Sequence, residues 1–304
     1  MNNVSKLCFG TLTLSPLQQN FSPARAADLM EYAFHQGVNF FDTAEIYESY
    51  PLFREFLKRD LPREEVFISS KCYAYDRKTA KESLDLALES MDTPYIDLFM
   101  LHEQESQHTL RGHAEALDYF AEMKSKGRIG HIGMSSHFVA GVRAGAVHPL
   151  IEVIHPIINK AGLGIVDGTR QDMEEAIKFA KSKGKFIFAM KALGGGHLLK
   201  SYGEALEYVL GLPYIDSLAI GMQSEEEIAA NVLSVMKNQI ATRAVDRSRK
   251  LIIDSYCIGC GNCVARCQQG ALSLVKGKAV VDTSRCVLCS YCVQSCEDFY
   301  IKVV

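Results

Sequence analysis

Eight of the ten cysteines in this 304-residue chain fall between Cys257 and Cys296, in two runs of the same form, Cys-x2-Cys-x2-Cys-x3-Cys. The first holds Cys257, Cys260, Cys263 and Cys267, the second Cys286, Cys289, Cys292 and Cys296. Such density demands crosslinks or metal. A disulfide module suits a small secreted domain, but the start of the chain, MNNVSKLCFG, lacks the basic and apolar stretches of a signal peptide. Zinc sites use Cys-x2-Cys pairs set apart by a longer gap. Two complete four-cysteine runs point instead to two [4Fe-4S] clusters.

The rest of the chain is long enough to bury a large core. Its formal charge of -3 argues against a nucleic-acid surface. No apolar run approaches 18 residues, so no membrane span is expected and the location expected is cytoplasmic. Short apolar segments alternate with amphipathic ones. The expected strands are 6–10, 37–43, 65–71, 95–101, 129–136, 151–156, 185–190 and 216–221. Helical periodicity fills 22–37, 77–92, 112–127, 169–184 and 224–239, and several of these windows run to a glycine. Eight strand–helix units predict an α/β fold of the (β/α)8 TIM-barrel kind. A doubly wound sheet is the competitor, but FGTLTLSP after the first strand holds no GxGxxG loop. The barrel is expected over 1–235, a charged, partly helical linker over 236–249, and a small C-terminal α+β iron-sulfur domain over 250–304. Within the last, 271–284 alternates around Gly277 as a hairpin and FYIKVV supplies a final strand.

Polar residues stand at the ends of successive strands: Asp42, with Tyr47 in the loop that follows, then Lys71, then His102. A barrel carries its chemistry on that rim. Each residue alone is as readily a cap or a solvated charge; together they form a proton-transfer constellation.

Two resemblances follow from these residues. Residues 250–304 resemble bacterial two-cluster ferredoxins, in which the fourth cysteine of each run ligates the other cluster. That resemblance implies one cluster on Cys257, Cys260, Cys263 and Cys296 and another on Cys286, Cys289, Cys292 and Cys267. Proline usually follows the fourth cysteine; Gln268 and Glu297 stand there instead. Residues 4–235 resemble the aldo-keto reductases on the strength of NFFDTAEIY, SSK, LHEQE, HIGMSSH and GMQSEEEIAAN. The resemblance implies a catalytic tetrad of Asp42, Tyr47, Lys71 and His102. Tyr47 would be the general acid, Lys71 would favour its phenolate, Asp42 would hold the ammonium, and His102 would orient the substrate oxygen.

For a nicotinamide cofactor, NADH or NADPH, the resemblance implies Ser135, Ser136 and Asn159 at the nicotinamide and Asn231 at the adenine. Gly194, Gly195 and Gly196 could meet a pyrophosphate or form a plain turn. Ser136 replaces the usual asparagine, His155 the usual glutamine, and Met190 and Lys191 stand where an aromatic stacks on the ring. Gly221 and Glu227 occupy positions that often carry cations, and Ser224 with Glu227 reads as a capping box. These departures disfavour NADPH and leave NADH, or no nicotinamide, open. Tyr73, Tyr75 and His137 could line a pocket, and Cys72 is expected to pack.

The leading expectation is an oxidoreductase that reduces a small carbonyl or related activated substrate, with electrons relayed through the clusters and a redox protein as a possible partner. Hydride transfer moves two electrons and a cluster one. Coupling them calls for a flavin, for which no motif is present, or a substrate that takes single electrons, or clusters that serve a partner. The alternatives are an electron-transfer subunit with a scaffolding barrel, and a conventional nicotinamide reductase with structural or sensory clusters.

Overall fold

In the computed structural model, residues 1, 3–241, 250–296 and 300–303 are described. Eight parallel strands close into a barrel in chain order: β1 (Leu7–Gly10), β2 (Phe40–Asp42), β3 (Phe67–Cys72), β4 (Ile96–Leu101), β5 (Ile129–Ser136), β6 (Val153–Pro156), β7 (Phe186–Ala189) and β8 (Ser217–Gly221), which returns to β1. Each expected strand contains the corresponding observed one except the third, where β3 runs one residue past 71 to Cys72. The barrel helices are α1 (Pro23–His35), α2 (Tyr50–Leu57), α3 (Arg77–Met91), α4 (Gln107–Gly112), α5 (Ala114–Ser125), α6 (Val139–Val147), α7 (Arg170–Ser182), α8 (Tyr202–Leu210) and α9 (Glu225–Asn231). Among the described residues no helix is long and apolar enough to cross a membrane.

Period-two alternation sorts the strand residues between two cores. One parity, including Cys8, Phe40, Leu98, Met100, Val153 and Phe188, fills the barrel interior, and Met1 and Val4 pack against its floor. The other parity packs outward on the helices. The register places Cys8 beside Phe40 and Gly10 beside Asp42, so the interior parity of β2 ends on a carboxylate. Ser69 lies beside Asp42, and Lys71 lies two residues further up β3 on the same face.

Local chemistry sets the helix starts. Ser22 accepts from the Arg25 amide with Pro23 in the first turn, and Asp76 with Thr79 and Thr169 with Asp172 make reciprocal capping boxes. Two windows differ from expectation. Residues 112–127 begin only at Ala114, because α4 is a separate short helix. Residues 224–239 leave the α-helix at Asn231 and pass into a wide π-type turn over Val232–Met236. The stretch ESYPLFREFL forms α2: Pro51 sits in its first turn, and Tyr50, Leu52, Phe53 and Phe56 are buried, with Phe56 4.8 Å from Phe41.

The C-terminal segment pairs β9 (Leu251–Ile253) with β12 (Ile301–Val303) and β10 (Leu272–Val275) with β11 (Lys278–Val281), both antiparallel. The β10–β11 turn is Lys276–Gly277, both at left-handed φ, as the alternation around Gly277 predicts. Two single-turn helices, α10 (Asn262–Arg266) and α11 (Tyr291–Gln294), carry Cys263 and Cys292. Of the expected linker, 242–249 lies outside the described residues, as does Glu297.

The segment is seated on the barrel. Gln19 donates to Ser290 Oγ at 3.1 Å, His197 is hydrogen-bonded to Gln269, and a Cβ on Gly196 would stand 3.0 Å from Val287. If α2 is the packed element described, Phe53→Ala costs about 3–5 kcal/mol in anaerobic urea denaturation; a loss below 1 kcal/mol would contradict that packing.

Candidate active site

The top interior layer of β2, β3 and β4 brings Asp42, Lys71 and His102 together. Lys71 Nζ donates to both Asp42 carboxylate oxygens at 2.7 Å and to the Thr43 carbonyl at 2.6 Å. Ser69 Oγ donates to Asp42 Oδ1 at 2.7 Å, and Thr11 Oγ1 to the Asp42 carbonyl at 2.9 Å. Asp42 and Lys71 are both buried, Lys71 to 1% exposure. Burial pushes the Asp42 carboxyl up, while the Lys71 ammonium and the Ser69 hydroxyl pull it down.

Tyr47 closes a short 3-10 turn, Glu45–Tyr47, that ends on left-handed Glu48. Its ring centroid is 5.3 Å from Lys71 Nζ and meets the His102 ring edge-on at 5.9 Å. Burial raises the Tyr47 pKa well above its ordinary value, and Asp42, Tyr291, Glu103 and Tyr73 add to the rise. The Lys71 ammonium is held by three oxygens, two from the Asp42 carboxylate and one from the Thr43 carbonyl.

His102 is stacked on Tyr73 at 4.7 Å, and the Tyr73 hydroxyl donates to Glu103 at 2.6 Å. Burial, then the Lys71 charge, lowers the His102 pKa to about 2, so its ring is neutral. His102 Nδ1 and Gln104 Oε1 are buried without a hydrogen-bond partner. Tyr75 is exposed, Cys72 packs in the outer core, and His137 Nε2 lies 3.1 Å from Lys191 Nζ.

The residues expected around a nicotinamide are not gathered in this way. Ser135 Oγ accepts from the Glu103 amide at 2.9 Å. Ser136 Oγ bonds both the amide and the carbonyl of Phe138 at 3.0 Å. Asn159 holds its own loop through Ala161 and Leu163. Asn231 is held by Glu227 and Tyr202, and Ser224 caps α9 through the Glu227 amide. Glu227 reaches the Gln223 amide, so the reciprocal bond of a capping box goes to the preceding residue. The Gly194 and Gly196 amides donate within their own turn, and Gly196 faces Val287. No side chain fits at Gly221, where a Cβ would lie 2.5 Å from Thr13. His155 is buried, bonded to the Phe188 carbonyl and stacked on that ring at 3.9 Å. Each of these groups is held by hydrogen bonds or packing within the chain.

The cysteines sort into two sets. One cavity is lined by Cys257, Cys260, Cys263 and Cys296. Cys267, Cys286 and Cys289 all bear electrostatically on Cys292, whose thiol is pushed up to about 12 by burial first and by those three. Amides of Ala279, Ala271 and Tyr300 donate to Cys257, Cys267 and Cys296 at 3.5, 3.3 and 3.2 Å. Among the described residues no three His, Cys, Asp or Glu converge as ligands of a single ion. Cubane thiolates surround a cluster, each on its own iron, and the two sets fit that demand.

Tyr291 is a site residue that sequence reasoning missed. It belongs to α11, next to Cys292, is hydrogen-bonded to Gln18, lies under the Arg266 guanidinium at 5.5 Å, and acts on Tyr47. Its one signal was an aromatic between two ligand cysteines.

A closed barrel with Asp, Tyr, Lys and His on its C-terminal rim, roofed by a cysteine-rich segment, defines a (β/α)8 oxidoreductase with an attached iron-sulfur module. Residues 6–209 match the Aldo/keto reductase family, and the chain belongs to it; residues 249–297 match the 4Fe-4S dicluster domain. L-galactose dehydrogenase of Arabidopsis thaliana is 24% identical, covering 76% of this chain and 84% of its own. Methylglyoxal reductase DkgA of Escherichia coli O157:H7 is 26% identical, covering 62% and 70%. An aldo-keto reductase structure from Bacillus halodurans superposes with a TM-score of 0.65 at 20% identity, over 78% of this chain and 89% of that one. The chain is an oxidoreductase of aldo-keto reductase type.

The lowered His102 pKa has a stability consequence. The unfolded chain takes a proton near the ordinary value of 6.5 that the folded site refuses until about 2. The contribution is whole above 6.5 and is lost as pH falls toward 2. Between pH 7 and pH 5 it amounts to about 2 kcal/mol. His102→Gln therefore flattens the pH dependence of the unfolding free energy by about that amount; an unchanged slope would show that His102 titrates normally.

Proposed function

We propose that this chain reduces a small carbonyl compound, or a related activated substrate, at Tyr47, with electrons relayed through two [4Fe-4S] clusters. The ligand sets are Cys257, Cys260, Cys263 and Cys296, and Cys267, Cys286, Cys289 and Cys292. The observation that carries this reading is the seat of the second cysteine run against the barrel: Gln19 donates to Ser290 Oγ at 3.1 Å, and a Cβ on Gly196 would stand 3.0 Å from Val287. A staple that only stabilised the C-terminal segment would not need that position.

Bound at these cysteines, the clusters would supply electrons one at a time. The chain's own residues handle the proton and the substrate. Tyr47, kept as a phenol by its surroundings, holds the proton destined for the substrate oxygen. His102, uncharged, orients that oxygen with one hydrogen bond. When the phenol gives up its proton, the resulting negative charge faces a Lys71 ammonium already fixed in place, so no group must reorganise to meet it. Asp42 keeps that ammonium oriented. Tyr73 stacks on His102, and its hydroxyl donates to Glu103.

Methylglyoxal, named for one relative, is a first compound to offer. Anaerobic protein reduced with dithionite should convert such a carbonyl to the alcohol, and Tyr47→Phe should lower the rate 10²- to 10⁴-fold. Turnover unaffected by Tyr47→Phe would remove its role. Cys289→Ser should leave the EPR signal of one cluster and stop dithionite-driven turnover; full turnover without that cluster would end the relay reading.

A further inference from the structure

The two cysteine sets face different surroundings. The second run is joined to the barrel through Ser290, Tyr291 and Val287. The first run meets the barrel past Cys267, where His197 is hydrogen-bonded to Gln269. Its cavity opens beside Cys260, which is exposed. Around that opening stand Tyr256, 75% exposed, and Ile258, 68% exposed, with Leu274 and Val275 about half exposed.

Ile258 and Leu274 lie on two segments packed against each other. The loop carrying Ile258 lies on the β10–β11 turn so closely that a Cβ on Gly259 would meet the Gly277 carbonyl at 2.1 Å. Gly261 lies against Leu274, and Lys278 donates to the Ser255 carbonyl. Contiguous apolar side chains held in water around a cavity mark a recognition surface.

The charges around it have one prevailing sign. Lys276 and Lys278 flank the hairpin tip. The one acid among the described residues of this face, Asp254, is turned to the Tyr256 amide at 2.9 Å. An apolar centre with a cationic border complements an apolar patch with an anionic border.

We propose that the face around Cys260, Ile258 and the β10–β11 turn docks a small acidic protein that carries one electron at a time. This rests on the relay reading of the cysteine runs. Each encounter leaves the carrier oxidised by one electron. Two encounters deliver the pair that, with the Tyr47 proton and a second from solvent, turns C=O into CH–OH.

The probe is an acidic [2Fe-2S] ferredoxin, oxidised, titrated calorimetrically into the complete iron-loaded chain at low salt. Binding is expected, weaker at high salt, and weakened about tenfold or more by Ile258→Asp and by Lys276→Glu. Iron content and dithionite-driven turnover of both variants should match the parent. Two exposed positions of different chemistry guard against one of them failing to fold. Absence of binding, or binding indifferent to both substitutions, overturns the proposal. Self-association of the chain that Ile258→Asp abolishes also overturns it, because the occupant is then a second copy. If dithionite drives no turnover in the parent, the reductase reading fails, yet the titration still decides the docking face.

Discussion

The Asp42–Lys71 pair is the constraint on which the site depends. Two opposite charges are locked together almost out of reach of water, where an apolar pair of similar volume would serve stability as well or better. Removing one partner leaves an unpaired buried charge, a cost of about 3–5 kcal/mol. Such a pair persists for what it positions. It holds one ammonium beneath the Tyr47 ring and keeps the surrounding field unfavourable to a second negative charge. The phenol therefore holds its proton until a substrate oxygen presents itself. His102, stripped of charge by the same burial, can touch that oxygen without competing as an acid.

The iron-sulfur segment changes what the rest of the rim is for. In this chain the loop after β7 turns back on itself and meets Val287, and His197 reaches Gln269. Ser136, Asn159 and Asn231 have settled into local bonds of their own. The glycine turn after β7, which the family resemblance could assign to a pyrophosphate, thus meets the C-terminal segment. The acidic α9 start fits this: Glu225, Glu226 and Glu227 crowd one first turn, where they favour the helix dipole and oppose a phosphate.

Much of this was legible before any coordinates. The eight strands could be read because each carries an apolar run of barrel length bounded by helical periodicity. Asp42, Lys71 and His102 could be read because strand parity puts them on one interior face. The cysteine sets are what the resemblance to two-cluster ferredoxins implies, a resemblance carried by the spacing of the two runs. What could not be read depends on contacts between distant segments. Tyr291 reaches Tyr47 only because α11 docks where it does. The helical state of ESYPLFREFL rests likewise on Phe56 meeting Phe41, with Pro51 accepted in its first turn.

Gly196 and Val287 are separated by most of the iron-sulfur segment, yet they share one small volume. Any side chain gained at the first must be matched by a loss at the second, and the same holds for His197 with Gln269 and Gln19 with Ser290. The two parts thus no longer drift independently. Their histories are coupled residue by residue, as in a single folding unit. A barrel cut free of its partner would carry a mouth shaped for an absent neighbour, so the joining of the two parts is hard to reverse.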